Sequence, residues 1–120
     1  VALELDGTAA EVTGRYENGT VMVPVAAVAE ALGFDVTYTR EGSQAPEITV
    51  ESDDFRVQMT IGSNLVTGVT KIPGAVGMTA PQDYGMAPYI VEPGTTWAPA
   101  QLFEMLGKTV TLEGTLLSIQ

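Results

Sequence analysis

One phrase occurs twice in this chain, and its recurrence limits what the chain can fold into. Gly19-Thr-Val-Met-Val-Pro24 leads into a run in which Val25, Val28, Ala29 and Leu32 stand at i, i+3, i+4 and i+7, closed by Gly33. Gly94-Thr-Thr-Trp-Ala-Pro99 repeats the form 75 residues later. Beyond the proline the offset falls to 74, so that Glu30 matches Glu104, Leu32 matches Leu106, Gly33 matches Gly107, Val36 matches Val110 and Thr37 matches Thr111. Each copy reads as a strand, a proline-initiated helix, a glycine stop and a further strand. An internal duplication that lost one residue from its second helix, 100–106, is the simplest account. Each helix carries a narrow apolar stripe that neither unit can bury alone, so the two units are expected to share one core.

Elsewhere the pattern is that of strands and turns. Val1 to Leu5 alternates and runs into Asp6-Gly7, a tight-turn signal before Thr8 to Thr13, and Asn18-Gly19 plays the same part before Thr20 to Val23. After Phe34 the period is two: Val36 and Tyr38 alternate with Thr37 and Thr39, a polar loop spans Arg40 to Pro46, and Ile48 and Val50 resume. Glu51 to Asp54 is a turn, beyond which Phe55, Val57, Met59 and Ile61 face one way while Arg56, Gln58 and Thr60 face the other, a hairpin with one wet face. Gly62 to Met86, with further glycines at 68, 74, 77 and 85 and prolines at 73 and 81, reads as a long connection. The expectation is one α+β domain over 1–120, with two related strand–helix–strand units at about 15–61 and 87–120 joined by the Gly/Pro-rich segment 62–86.

Composition narrows the functions. Fifteen acidic against five basic residues in 120 give a net charge of −10, while 45% hydrophobic residues supply enough for one core without metals or disulfides. So few cations leave little with which to neutralise phosphate, so neither a nucleic acid nor an anionic membrane surface is expected as a partner. No apolar run approaches the roughly 20 residues that span a bilayer, so membrane insertion is not expected. Histidine and cysteine are absent. That removes the commonest general base, the thiol nucleophile and nearly every zinc or copper site.

The repeated phrase also carries a resemblance. Asn18-Gly-Thr-Val-Met-Val-Pro-Val-Ala-Ala-Val-Ala-Glu-Ala-Leu-Gly33, with Val36, Tyr38 and Ile48-Thr-Val50 after it, resembles the copper amine oxidase N-terminal (stalk) domain family. Thr60-Ile-Gly-Ser-Asn64 and the stretch from Ala87 to Thr111 extend the likeness over most of the chain. The resemblance implies an α+β fold in which an antiparallel sheet wraps around short helices, and a bacterial, secreted or cell-envelope setting, with a signal peptide removed ahead of this sequence. It does not imply oxidase chemistry here. That chemistry needs three histidines on copper and a tyrosine processed to a quinone in an Asn-Tyr-Asp/Glu context, whereas the nearest phrase is Gln82-Asp-Tyr-Gly85.

Carboxylates alone leave little other chemistry. Glu51, Asp53 and Asp54 could form a hard-cation site, but calcium loops need ligands at several alternating positions and a closing glutamate, and a solvated hairpin accounts for them better. Glu30 and Glu104 read as solvent-facing helix residues whose recurrence follows from the duplication. Serine activation would fall to a Ser-Lys pair with Lys71 or Lys108, and neither Gly-x-Ser-x-Gly, Ser-x-x-Lys nor a phosphate-cradling glycine loop with its lysine occurs. No catalytic, cofactor-binding or metal-binding residue is assigned, and the chain is expected not to be an enzyme.

Binding is the function that remains. Trp97 stands where the first unit has Met22, which favours a core role for it. Tyr84, flanked by Gly85 and Met86, is expected to be exposed. Ile72, Val76, Met78, Tyr84, Met86 and Tyr89 are the candidate interaction residues, in a loop over 72–89 that could instead cover a sheet edge. The expected function is a non-catalytic spacer, dimerisation or protein-recognition module whose partner is another protein or a second copy. The alternative, from another class, is glycan binding or peptidase inhibition by the 72–89 loop.

Overall fold

The computed structural model describes residues 1–39, 46–71, 81–91 and 94–120. They form thirteen strands and two short helices in three sheets, mostly β with a helical minority, as an α+β expectation requires. β1 (Ala2–Leu5) and β2 (Thr8–Thr13) are a hairpin, as are β3 (Arg15–Glu17) and β4 (Thr20–Pro24). Both turn on the two-residue signals read from the sequence: φ is 50° and 82° at Asp6-Gly7 and 50° and 80° at Asn18-Gly19. Two consecutive left-handed residues match the right-handed twist of the flanking strands, which Asp-Gly and Asn-Gly adopt at least cost.

β4 runs directly into α1 (Val25–Ala31). Pro24 stands at the N-cap, still extended, one position earlier than the first helical residue where the sequence placed it. Val25, Val28 and Ala29 are fully buried and Leu32 nearly so, while Ala26, Ala27, Glu30 and Ala31 are exposed, which is the stripe expected. The helix ends with Phe34 N–H donating to Ala29 O at 2.8 Å and Gly33 N–H to Glu30 O at 3.1 Å, a Schellman closure that left-handed Gly33 permits.

β5 (Asp35–Thr39), β6 (Glu47–Glu51), β7 (Phe55–Thr60), β8 (Leu65–Thr70) and β9 (Gln82–Asp83) form an antiparallel five-stranded sheet in chain order. β8 corrects the sequence reading of 62–86 as one long connection. Leu65-Val-Thr-Gly-Val-Thr70 alternates weakly because Gly68 stands opposite Val57, yet pairing along β7 buries Val66 fully. Between β6 and β7 the acidic turn is held by Ser52 Oγ, which accepts from Phe55 N–H at 3.0 Å. The Glu51 carboxylate accepts from Arg56 and Lys71 at 3.0 and 3.1 Å, and the Lys71 hydrogen bond above all holds it below the usual carboxylate range.

β10 (Tyr89–Val91) and β11 (Thr95–Pro99) pair with β4 and β3 in a second sheet, ordered β10-β11-β4-β3. The segment Ala100–Leu106 follows β11 as a 3₁₀ helix, not the α-helix its pattern suggested. Both helices have seven residues, but a 3₁₀ helix rises about 2.0 Å per residue against about 1.5 Å for an α-helix, so the second is the more extended. Its buried positions still match: Leu102, Phe103 and Leu106 lie where α1 buries Val28, Ala29 and Leu32. It also closes the same way, with Lys108 N–H donating to Phe103 O and Gly107 N–H to Glu104 O. Met105 is half-buried against the core.

β12 (Val110–Glu113) and β13 (Leu116–Ile119) complete a third sheet, β12-β13-β1-β2. Here the expected wholly antiparallel arrangement is corrected: β13 lies parallel to β1, because the two ends of the described chain meet side by side. All three sheets and both helices contribute to one core cluster, from Leu3 and Ile119 through Val23, Val28 and Ala98 to Val57 and Leu102. Among the described residues one buried side chain has no hydrogen-bond partner, the Thr96 hydroxyl, at the position that Val21 fills in the first unit. Thr96→Val is therefore expected to raise folding stability by about 1 kcal/mol, read from urea midpoints. A loss of that size would show that the hydroxyl is satisfied.

Candidate functional site

The candidate residues Ile72, Val76 and Met78 lie outside the described residues. Tyr84, Met86 and Tyr89 belong to a segment, 81–91, tied down along its whole length. β9 pairs at the edge of β8, Leu65 opposite Asp83 and Val66 opposite Gln82, so this part covers a sheet edge as the competing reading held. Gly85 N–H donates to Asp83 Oδ1 at 2.8 Å, Met86 Sδ accepts from Asn18 Nδ2 at 3.2 Å, and Gly62 N–H donates to Pro88 O at 3.1 Å. Tyr84 is not exposed as expected but half-buried, packed against the core cluster.

Tyr89 joins a polar and aromatic group on the β10-β11-β4-β3 sheet. Its hydroxyl donates to Glu17 Oε2 at 2.7 Å, and it stands directly opposite Trp97. The Arg15 guanidinium lies 4.4 Å from the Trp97 ring centroid. Trp97 faces away from its core-facing neighbour Ala98 and is half-buried, which corrects the expectation of a core role. Fully buried Met22 shares the face of Trp97, since Pro24 pairs with Trp97 and Met22 with Pro99. Trp, Tyr and Arg are the side chains that most often dominate protein contacts, but here each is already engaged by a neighbour.

Burial holds the phenols of Tyr38, Tyr84 and Tyr89 above their ordinary value of 10.0, helped at Tyr84 by the Glu104 charge and at Tyr89 by the bond to Glu17. The folded chain then keeps these protons longer than the unfolded chain. Stability is expected to be level below the phenol range and to fall as pH rises through it, with tyrosinate absorbance developing later than in urea-unfolded protein. Coincident titration of the folded and unfolded chains would contradict this.

Among the grooves on the described surface, two border the helices. The larger, of about 480 Å³, runs between β2 and the outer side of α1, over Ala9, Ala10, Val12, Ala27 and Ala31. A smaller one, of about 130 Å³, lies between Tyr16, Gln101, Glu104 and Leu112, with Tyr16 63% and Leu112 43% exposed. Sequence reasoning named neither, because each is made by elements remote in the chain. Among the described residues no group of three or more carboxylates gathers into a metal-binding cluster, and no helix is long and apolar enough to cross a membrane.

The fold and these surfaces define a small, mostly β module built around one shared core. The family model of the copper amine oxidase N-terminal domain matches residues 4–119, and the chain belongs to that family. The family is a non-catalytic accessory domain. No curated protein and no solved structure matches the chain.

Proposed function

We propose that the chain is a non-catalytic protein-recognition module that works in a bacterial secreted or cell-envelope setting. The observation that carries this is the family match over residues 4–119, because an accessory domain acts through what it holds rather than through bonds it breaks. Recognition is preferred to spacing or dimerisation because the open β2–α1 groove is more than a spacer needs, and ten surplus negative charges oppose self-association. The same reading takes the fold as two related units. Its support is the register of β4 on β11, which is centred on Val23 and Ala98, matched positions of the two copies, with Pro24 opposite Trp97 and Met22 opposite Pro99.

Crosslinking of the purified chain within the extracellular and envelope fractions of its source cells, followed by mass spectrometry, tests the proposal, with light scattering and a glycan array alongside. The expected result is a monomer that captures one protein saturably and leaves the array blank. A dimer without other capture would replace recognition by dimerisation, a signal on the array would replace it by glycan binding, and silence in all three would leave a spacer.

A further inference from the structure

The two outer sheets differ at one edge. In the five-stranded sheet, β9 covers β8. If β12 and β13 are set against β5 and β6, through the match of Val110 with Val36, then β2 occupies the place of β8, and among the described residues no further strand covers it. β2 is also the longest edge strand, with six residues, against five in β5, four in β12, three in β3 and β10, and two in β9. Proteins usually blunt such edges with charge, proline, a bulge or brevity. β2 has no lysine or proline; it carries one charged residue, Glu11, and one irregularity of the bulge kind, a register shift that sets residues 10–12 opposite Leu3 alone, so its edge is only partly blunted.

The helices differ in the same sense. The 3₁₀ helix packs on β7 and β8, and its Met105 is half-buried against the core. The matched residue of α1 is Ala31, which is exposed and borders the 480 Å³ groove beside β2. The floor there is apolar but shallow-chained, from Ala9, Ala10 and Val12 on the strand and Ala27 and Ala31 on the helix. Two carboxylates and no cation line it, and one of the two, Asp6, already accepts from Lys108 at 3.0 Å.

We propose that β2 receives an extended, basic segment of a partner protein as an added strand of the β12-β13-β1-β2 sheet. Small side chains of that segment would occupy alternate positions over the alanine floor, and lysines or arginines between them would face Glu11. Strand addition draws its affinity from main-chain hydrogen bonds and its selectivity from alternate side chains, so a floor of alanines selects small residues and an acidic rim selects cationic ones. A second copy of this chain is a poorer occupant, since it carries the same charge of −10. The inference rests on the protein-recognition reading and specifies where that recognition occurs.

The test is nuclear magnetic resonance of the full isotope-labelled chain titrated with a synthetic peptide of alternating lysine and alanine, and with its glutamate–alanine analogue. Amide shifts are expected at residues 8–13 and around Ala27 and Ala31 with the basic peptide alone. Glu11→Lys is expected to weaken binding about tenfold, and Ala31→Phe, at an exposed helix position where the fold is retained, to abolish it. Shifts elsewhere, equal binding of the acidic peptide, or undiminished binding by Ala31→Phe would overturn the proposal, as would a dimer whose β2 amides are protected without peptide. If the peptide misses β2 while crosslinking still captures a protein, the strand site alone fails. If neither occurs, the recognition reading fails with it.

Discussion

Replacing Phe103 by alanine is expected to lower folding stability by about 3–5 kcal/mol, measured as the shift of the urea midpoint at constant slope. Phe103 heads the fully buried side chains and sits on the 3₁₀ helix where that helix meets β7. Its ring lies 6.2 Å from that of Phe34, stacked at 16°, so the substitution opens a cavity and also removes an aromatic pair worth about 0.5–1.5 kcal/mol. A domain with about 5–15 kcal/mol in total cannot absorb such a loss easily. Phe103→Leu, which keeps most of the volume, is expected to cost much less, and equal costs for the two variants would show that the ring is not packed as described.

Val23→Asp is expected to be at least as damaging. Val23 and Ala98 are both fully buried and stand opposite each other at the middle of the β4–β11 pairing, the seam through which the two halves of the chain share their core. Among the described residues the core cluster around it is wholly apolar, and an isolated buried charge costs several kcal/mol even after relaxation. The pH dependence supplies the sign. In the folded state burial would favour the protonated acid, raising its pKa above the unfolded value of about 3.9, so the variant should be least impaired in acid and lose stability as pH rises through that value. Val23→Asn, polar but uncharged, should be destabilised without that added pH dependence. A Val23→Asp chain as stable as its parent at neutral pH would mean that the seam is open to water.

Much of the fold was legible because the signals are local. Asp6-Gly7 and Asn18-Gly19 dictate their turns whatever surrounds them, and the i, i+3, i+4, i+7 stripe of Val25 to Leu32 fixes which side of α1 is buried. β8 escaped because Gly68 and a single buried valine weaken its alternation, and its strand character comes from hydrogen bonding along β7. The 3₁₀ form of 100–106 escaped because the apolar spacing is nearly the same for both helix types. Of the candidate contact residues, Tyr89 and Met86 were named from their chemistry, but their partners Glu17 and Asn18 stand 72 and 68 residues away. Pairings at such separation leave no trace in a single chain's periodicity.

The amino-acid sequence by itself determined the recurring Gly-Thr to Pro phrase, the buried stripes of both helices, the turns, the family and the lack of histidine and cysteine for chemistry, since each of these is written in residue identity and short spacing. Only the tertiary structure decided that β4 and β11 meet at Val23 and Ala98, that β13 joins β1 in parallel, that the segment before β10 is bound to the β3–β4 turn, and that among the described residues β2 is an edge strand beside an alanine-lined groove. The physical reason is that backbone pairing and cavity shape depend on which distant surfaces come to lie together, and that is set by the packing of the whole core rather than by any one stretch of chain.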